Sequence, residues 1–343
     1  MRKNTVKWID SLKGLGIILV VLGHCLPTNT VITNFIYSFH IPLFFFISGY
    51  LYNTEKYSHN LPLFFKNKFR RLIIPYFAYA FFTYAIWLLV GRNFGVNKLL
   101  DVEPAKPLIG IFFGNGIDNY LVFNIALWFL PALFSTSLLY TIIDRYIPKH
   151  IPKLISLLLL GVLGFLDSKF SDFRLPWGIN IAFVAVLFYG LGHICQTYLN
   201  RTLDIIKNKT VAFIIGIILV GIGFALNSIN GGVSFNSHSY GNYPLFLLSA
   251  LSSITGLLLI TKKLLNFSEL MFLGRTSIRI FALHILSFSV TSGILKFLFK
   301  IDFLKFKESN YGPVIYFVAA IGMLSIYSMV LDYVKKKVKE RRQ

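Results

Sequence analysis

The chain has 343 residues, 55% of them hydrophobic and only 14% charged, with a formal net charge of +20. Its mean hydropathy of +0.66 excludes an ordinary soluble domain, in which about 25% of residues are charged. In a membrane chain, so much positive charge marks the cytoplasmic loops rather than a nucleic-acid site.

The first element, "MRKNTVKWIDSLKGLGIILVVLG", pairs a basic start with an apolar run and has no small-x-small cleavage site after it. It reads as a retained span rather than a removed signal peptide. Apolar segments near the ~20 residues needed to cross a bilayer follow in series at 9–27, 32–52, 73–91, 122–143, 154–167, 178–198, 210–229, 243–261, 276–295 and 312–333. The fifth is the shortest, and the ninth carries polar residues. No internal repeat stands out, which weighs against a repeat-built transporter. The expected fold is all-α: a polytopic membrane protein of about ten helices forming a single domain over 1–343, with a core at 8–334 and a basic tail at 335–343. Lys7 and Lys13, the cluster Lys66, Lys68, Arg70 and Arg71, the group Arg145, Lys149 and Lys153, and the tail all fall on one side when the N-terminus is placed inside. Both termini are then cytoplasmic. Cys25 and Cys195 are too few for a disulfide framework, and no spacing suggests a metal site.

The chemistry begins in the first span. Lys13 and His24 are eleven residues apart, roughly 20° beyond three full helical turns and about 16 Å along the axis, so they share a face. A snorkelling lysine and an interfacial histidine would explain each alone. Together they suit an anionic carrier reaching inward from a cationic mouth toward a base. Asp10 either caps this helix or orients Lys13 across one turn. In the second span His40 is followed by Pro42 and by Ser48-Gly49, which reads either as a kinked packing helix or as a second wall of the cavity that His24 faces. The cluster ahead of the third span fits topology, anionic lipid or phosphate recognition. Trp128 with Pro131, and His284, are cavity candidates; Ser48 is either an oxyanion donor or a packing hydroxyl. Arg279 is turned about 140° from His284 and reads as a snorkelling side chain. The acidic residues, Asp144 among them, stand in loops or at span ends, which argues against ion-coupled transport.

The stretches "DSLKGLGIILVVLGH", "FHIPLFFFISGY", "KFRRLIIPY", "LWFLPALF" and "LGRTSIRIFALH", in this order, resemble the acyltransferase 3 family over roughly residues 8–334. These are integral membrane O-acyltransferases of bacterial surface polysaccharides, the fucose 4-O-acetylase-like proteins among them. The resemblance implies a ten-helix plasma-membrane enzyme. It would take an acyl group, usually acetyl, from cytoplasmic acetyl-CoA as donor substrate, without a bound cofactor, to a sugar hydroxyl at the outer face. Its basic-x10-His motif falls on Lys13 and His24, and its basic-x-x-Arg motif on Lys68 and Arg71. Lysine stands where many relatives carry arginine at both first positions, keeping the charge and losing the bidentate fork. The expected partners are acyl-CoA, a glycan or glycolipid acceptor and the bilayer, with no nucleic acid. His24 acts either as general base on the acceptor hydroxyl or as an acyl-histidine nucleophile. A transporter or flippase of a polysaccharide or lipid-linked sugar is the alternative.

Overall fold

The computed structural model describes residues 7–341. Among them, ten helices are long and apolar enough to cross a membrane: α1 (Lys7–Cys25), α2 (Val31–Tyr50), α3 (Leu61–Leu89), α4 (Ile125–Tyr146), α5 (His150–Phe170), α6 (Pro176–Gln196), α7 (Lys209–Asn230), α8 (Tyr243–Leu264), α9 (Ser268–Phe297) and α10 (Gly312–Glu340). The shortest expected span becomes the full 21 residues of α5, and the polar-containing ninth becomes the 30 residues of α9. Periodicity marks only the apolar centre of such helices, while their ends carry polar side chains that the backbone hydrogen bonding still accommodates. For the same reason α3 starts at Leu61, so the cluster from Lys66 to Arg71 belongs to a helix rather than to the loop before it. The basic tail continues α10 as far as Glu340; Arg342 and Gln343 lie outside the described residues.

The chain forms two compact units, residues 1–30 with 266–343, and residues 31–265. In the first unit, glycine sets the spacing of α1 and α9. A Cβ on Gly14 would overlap the Leu270 carbonyl, and one on Gly274 would overlap the Asp10 carbonyl. Small residues at such a crossing let helix backbones meet, the usual means of packing without a hydrophobic drive in lipid. Further along, His24 meets His284, so the two helices run parallel. α10 packs antiparallel to α9. Arg279 pairs with Asp332 (Nη2 to Oδ1, 2.6 Å) and donates to the Ser328 carbonyl at 3.2 Å, while Ser292 and Tyr316 share a 2.7 Å hydrogen bond. Arg279, read from the sequence as a snorkelling side chain, reaches the half-exposed Asp332 of the last helix.

The second unit holds α2 to α8. Its aromatic core joins Tyr52, Phe64, Tyr140, Leu157, Val186 and Tyr189. Gly49 and Gly192 bring α2 and α6 together: a Cβ on Gly49 would overlap the Tyr189 carbonyl, and one on Gly192 that of Phe46. α7 and α8 form a tight hairpin in which Ser249 donates to the Gly223 carbonyl at 2.8 Å and Ser252 to the Leu219 carbonyl at 2.7 Å. α4 is 72% buried over its apolar window, whereas α5 and α7 are only 22% buried. The exposed faces of these outer helices are large and apolar, Leu159, Leu163, Ile214 and Ile218 among them, as a lipid-facing surface requires.

Candidate active site

In the first unit, the unbroken helix α1 carries Asp10, Lys13 and His24. Asp10 is 4% exposed, and its Oδ1 takes the Lys13 ammonium at 3.4 Å. Asp10 sits in the first turn and meets Lys13 one turn on. Ten residues beyond Gly14 stands His24, and ten beyond Gly274 stands His284. Their ring centroids are 5.0 Å apart, tilted by 45°. The parallel crossing at the glycines brings the two rings together about 15 Å further along. The His284 Nδ1 lies 2.7 Å from the Phe281 carbonyl, so Nδ1 carries the proton and donates. Its Nε2 is buried with no hydrogen-bond partner and keeps its lone pair. The arrangement is a histidine held against a second histidine of fixed tautomer, with a carboxylate-paired cation on the same helix.

In the second unit, the basic cluster coincides with a π-helical turn over Phe69–Ile73. Such turns insert one residue and redirect the side chains that flank them. Lys68 folds back over the Phe64 and Tyr189 rings, its Nζ 5.6 Å from each centroid; Arg70 and Arg71 are exposed. His40 is buried, with Nδ1 2.7 Å from the Ile36 carbonyl of the preceding turn. Ser48 is half-buried beside the tightly packed Gly49. Trp128 is 8% exposed and packs edge-on against Phe129.

Two clusters escape the sequence. Asp144 and Lys153, each 2% exposed, form a buried ion pair. The other carboxylate oxygen accepts from Thr54 at 3.1 Å, and the Thr54 hydroxyl also meets His193 Nε2 at 3.0 Å. His193 Nδ1 in turn lies 2.6 Å from the Tyr140 hydroxyl. Asp144 does stand at a span end, as expected, but Lys153 lies inside α5 rather than in a loop. Only a pair of opposite charges nine residues apart across a helical turn-around could have signalled it. At the opposite end of this unit, Asn180 Nδ2 donates to Asp167 Oδ2 at 2.7 Å, and His238 Nε2 contacts the same oxygen at 3.0 Å. Tyr240 completes the chain at 3.1 Å from His238 Nδ1. Burial, with the nearby Arg174 charge, holds the His238 imidazole below the usual histidine range.

The acyltransferase domain model of the acyltransferase 3 family, Acyl_transf_3, matches residues 6–332. The chain belongs to that family. No curated protein and no solved structure gave a match. The match spans both units, so this member of the acyltransferase 3 family carries the histidine pair and the basic cluster within one family domain. An acyltransferase 3 chain with ten membrane-crossing helices is a multi-pass membrane acyltransferase.

Proposed function

We propose that the protein transfers an acyl group, acetyl in the first instance, from cytoplasmic acyl-CoA to a sugar hydroxyl of a cell-surface polysaccharide or glycolipid. The family match and the His24–His284 contact support this reading. The acceptor hydroxyl attacks the thioester carbonyl while His24 takes its proton; a C–O bond forms, the C–S bond breaks, and His24 returns the proton to the departing thiolate. His284, with its Nδ1 committed to the Phe281 carbonyl, packs its ring against that of His24 and limits where the His24 ring can turn. Each unit offers cations for the phosphates of acyl-CoA: Lys13, paired with Asp10, in the first, and Lys68, Arg70 and Arg71 in the second. The arginines supply the planar fork that the lysines lack. The basic loop ends then face the cytoplasm, as the positive-inside rule requires.

The test uses purified protein in proteoliposomes with radiolabelled acetyl-CoA and a panel of glycan acceptors, wild type beside His24→Ala. Label transfer by the wild type and none by the variant at equal membrane levels is the expected result. Normal transfer by His24→Ala would remove the histidine from the mechanism. Lys13→Ala and Arg71→Ala are expected to raise the KM for acetyl-CoA about tenfold, which steady-state kinetics reads directly.

A further inference from the structure

A narrow recess opens at the end of the second unit opposite its basic cluster. Its walls include Gly114, Asn115, Trp128, Arg174, Asn180 and Asn236, and its base has room for one hydroxyl-sized group. Most of the polar atoms around it are already used. Asn180 Oδ1 accepts from the Leu175 amide at 2.7 Å, and its Nδ2 is committed to Asp167. Asn115 Oδ1 accepts from the Ile117 amide at 3.1 Å. Two buried atoms are unpartnered: Nη1 of Arg174, a donor, and Oδ1 of Asn236, an acceptor. Both residues line the recess, and Arg174 Nη2 reaches the Asn236 main-chain carbonyl at 3.5 Å. The orientation of the Asn236 amide is fixed by its Nδ2, which donates to the Gly116 carbonyl at 3.2 Å.

An unpaired buried donor and an unpaired buried acceptor on two residues of one recess are each costly unless a water or a ligand satisfies them. A hydroxyl does so: its oxygen accepts from Arg174 and its proton goes to Asn236. A carboxylate or phosphate oxygen would accept from Arg174 and then face the Asn236 oxygen, lone pair against lone pair. Asp118, Asp167 and Asp172 also act on the Arg174 charge, which weakens its pull on an anion. Trp128 adds an aromatic residue to the wall of the recess. We propose that this recess is a recognition subsite for the acceptor saccharide, taking one hydroxyl of a neutral sugar between Arg174 and Asn236. The inference rests on the acyltransferase reading above and adds to it the residues that select the acceptor.

The test is saturation-transfer NMR on the full chain in nanodiscs, with methyl glycosides of a hexose, a 6-deoxyhexose and a hexuronate as probes. Wild type is compared with Arg174→Lys, Asn236→Ala and Gly116→Ala; a Cβ on Gly116 would stand 2.6 Å from Asn236 Oδ1. Thermal midpoints control for folding. A neutral glycoside is expected to bind wild type, and each variant to weaken it about tenfold or more. Should Asn236→Ala fold poorly, Arg174→Lys carries the test, since it keeps the charge and loses only the fork. The proposal is overturned if no glycoside binds, if all variants bind as wild type does, or if the hexuronate binds best with salt-dependent affinity. If a glycoside binds here but no label moves from acetyl-CoA, the acyltransferase reading falls and the subsite stands. If label moves with acceptor KM unchanged in Arg174→Lys and Asn236→Ala, the subsite falls and the reaction stands.

Discussion

His284 and His24 make the clearest case at the level of single side chains. The His284 Nδ1 is committed to the Phe281 carbonyl, so removing this ring deprives His24 of a neighbour with a fixed tautomer. His284→Ala is expected to lower kcat about 10²-fold, in the range of misplaced general bases, while leaving the KM for acetyl-CoA unchanged. An equal effect on both constants would mean that the substitution disturbed binding instead. His238 gives a different kind of prediction. Burial and Arg174 depress its affinity for a proton despite the Asp167 contact. Below the ordinary histidine pKa of about 6.5, the unfolded chain therefore takes up a proton that the folded chain refuses. Stability falls as the pH drops through that window. The thermal midpoint of wild type should decline as the pH falls below about 6.5, and the slope should flatten in His238→Gln. An unchanged slope would place the titrating group elsewhere.

Between elements, the strongest constraint in the second unit is the bridge from α4 to α5. Asp144 and Lys153 are both out of water, so removing one leaves an uncompensated charge. Asp144→Ala is expected to cost about 3–5 kcal/mol, whereas the paired change Asp144→Leu with Lys153→Met should cost far less and could stabilise. Thermal unfolding in detergent distinguishes the two, and similar losses in both would show that the ion pair is not the source. The glycine crossing of α1 and α9 responds to volume rather than charge. Gly274→Ala should destabilise by about 1–3 kcal/mol, as overpacking does elsewhere, because the added methyl meets the backbone of the partner helix rather than a side chain that can swing away.

For the molecule as a whole, hydropathy made the number and approximate position of the membrane helices legible. It did so because a bilayer demands long apolar runs and leaves few alternatives for the backbone. The helix ends were less legible: the N-terminal portions of α3 and α5 contain Lys66, Lys68 and Lys153, charges that interrupt an apolar run. At the site, the spacing of Lys13 and His24 could be read because a helix converts it into a shared face. The partnership of His24 with His284 could not, since it depends on how two distant segments cross. The signal was nevertheless present as a histidine ten residues after a close-packed glycine in each. The recess at Arg174 and Asn236 draws on three loops, and loop positions carry no periodicity from which convergence could be inferred. Topology itself can be measured: in a background lacking Cys25 and Cys195, a cysteine placed at Ser237 should react with an impermeant thiol reagent from outside the cell. One at Lys336 should react only after permeabilisation, and the reverse pattern would invert the orientation.

The equal spacing from glycine to histidine makes α1 and α9 a pair of matched rulers. Inserting one alanine between Gly14 and His24 would turn His24 by about 100° and advance it by about 1.5 Å relative to the crossing, carrying it away from its partner ring. The same insertion between Gly274 and His284 would move the other ring instead. Made together, the two insertions would restore equal height but leave both rings turned off the contact, whereas seven residues inserted in both segments, about 20° short of two full turns, would restore height and facing together. Activity lost when seven residues are inserted in one helix and regained when they are inserted in both would show that the chemistry depends on the difference between two lengths rather than on either length alone.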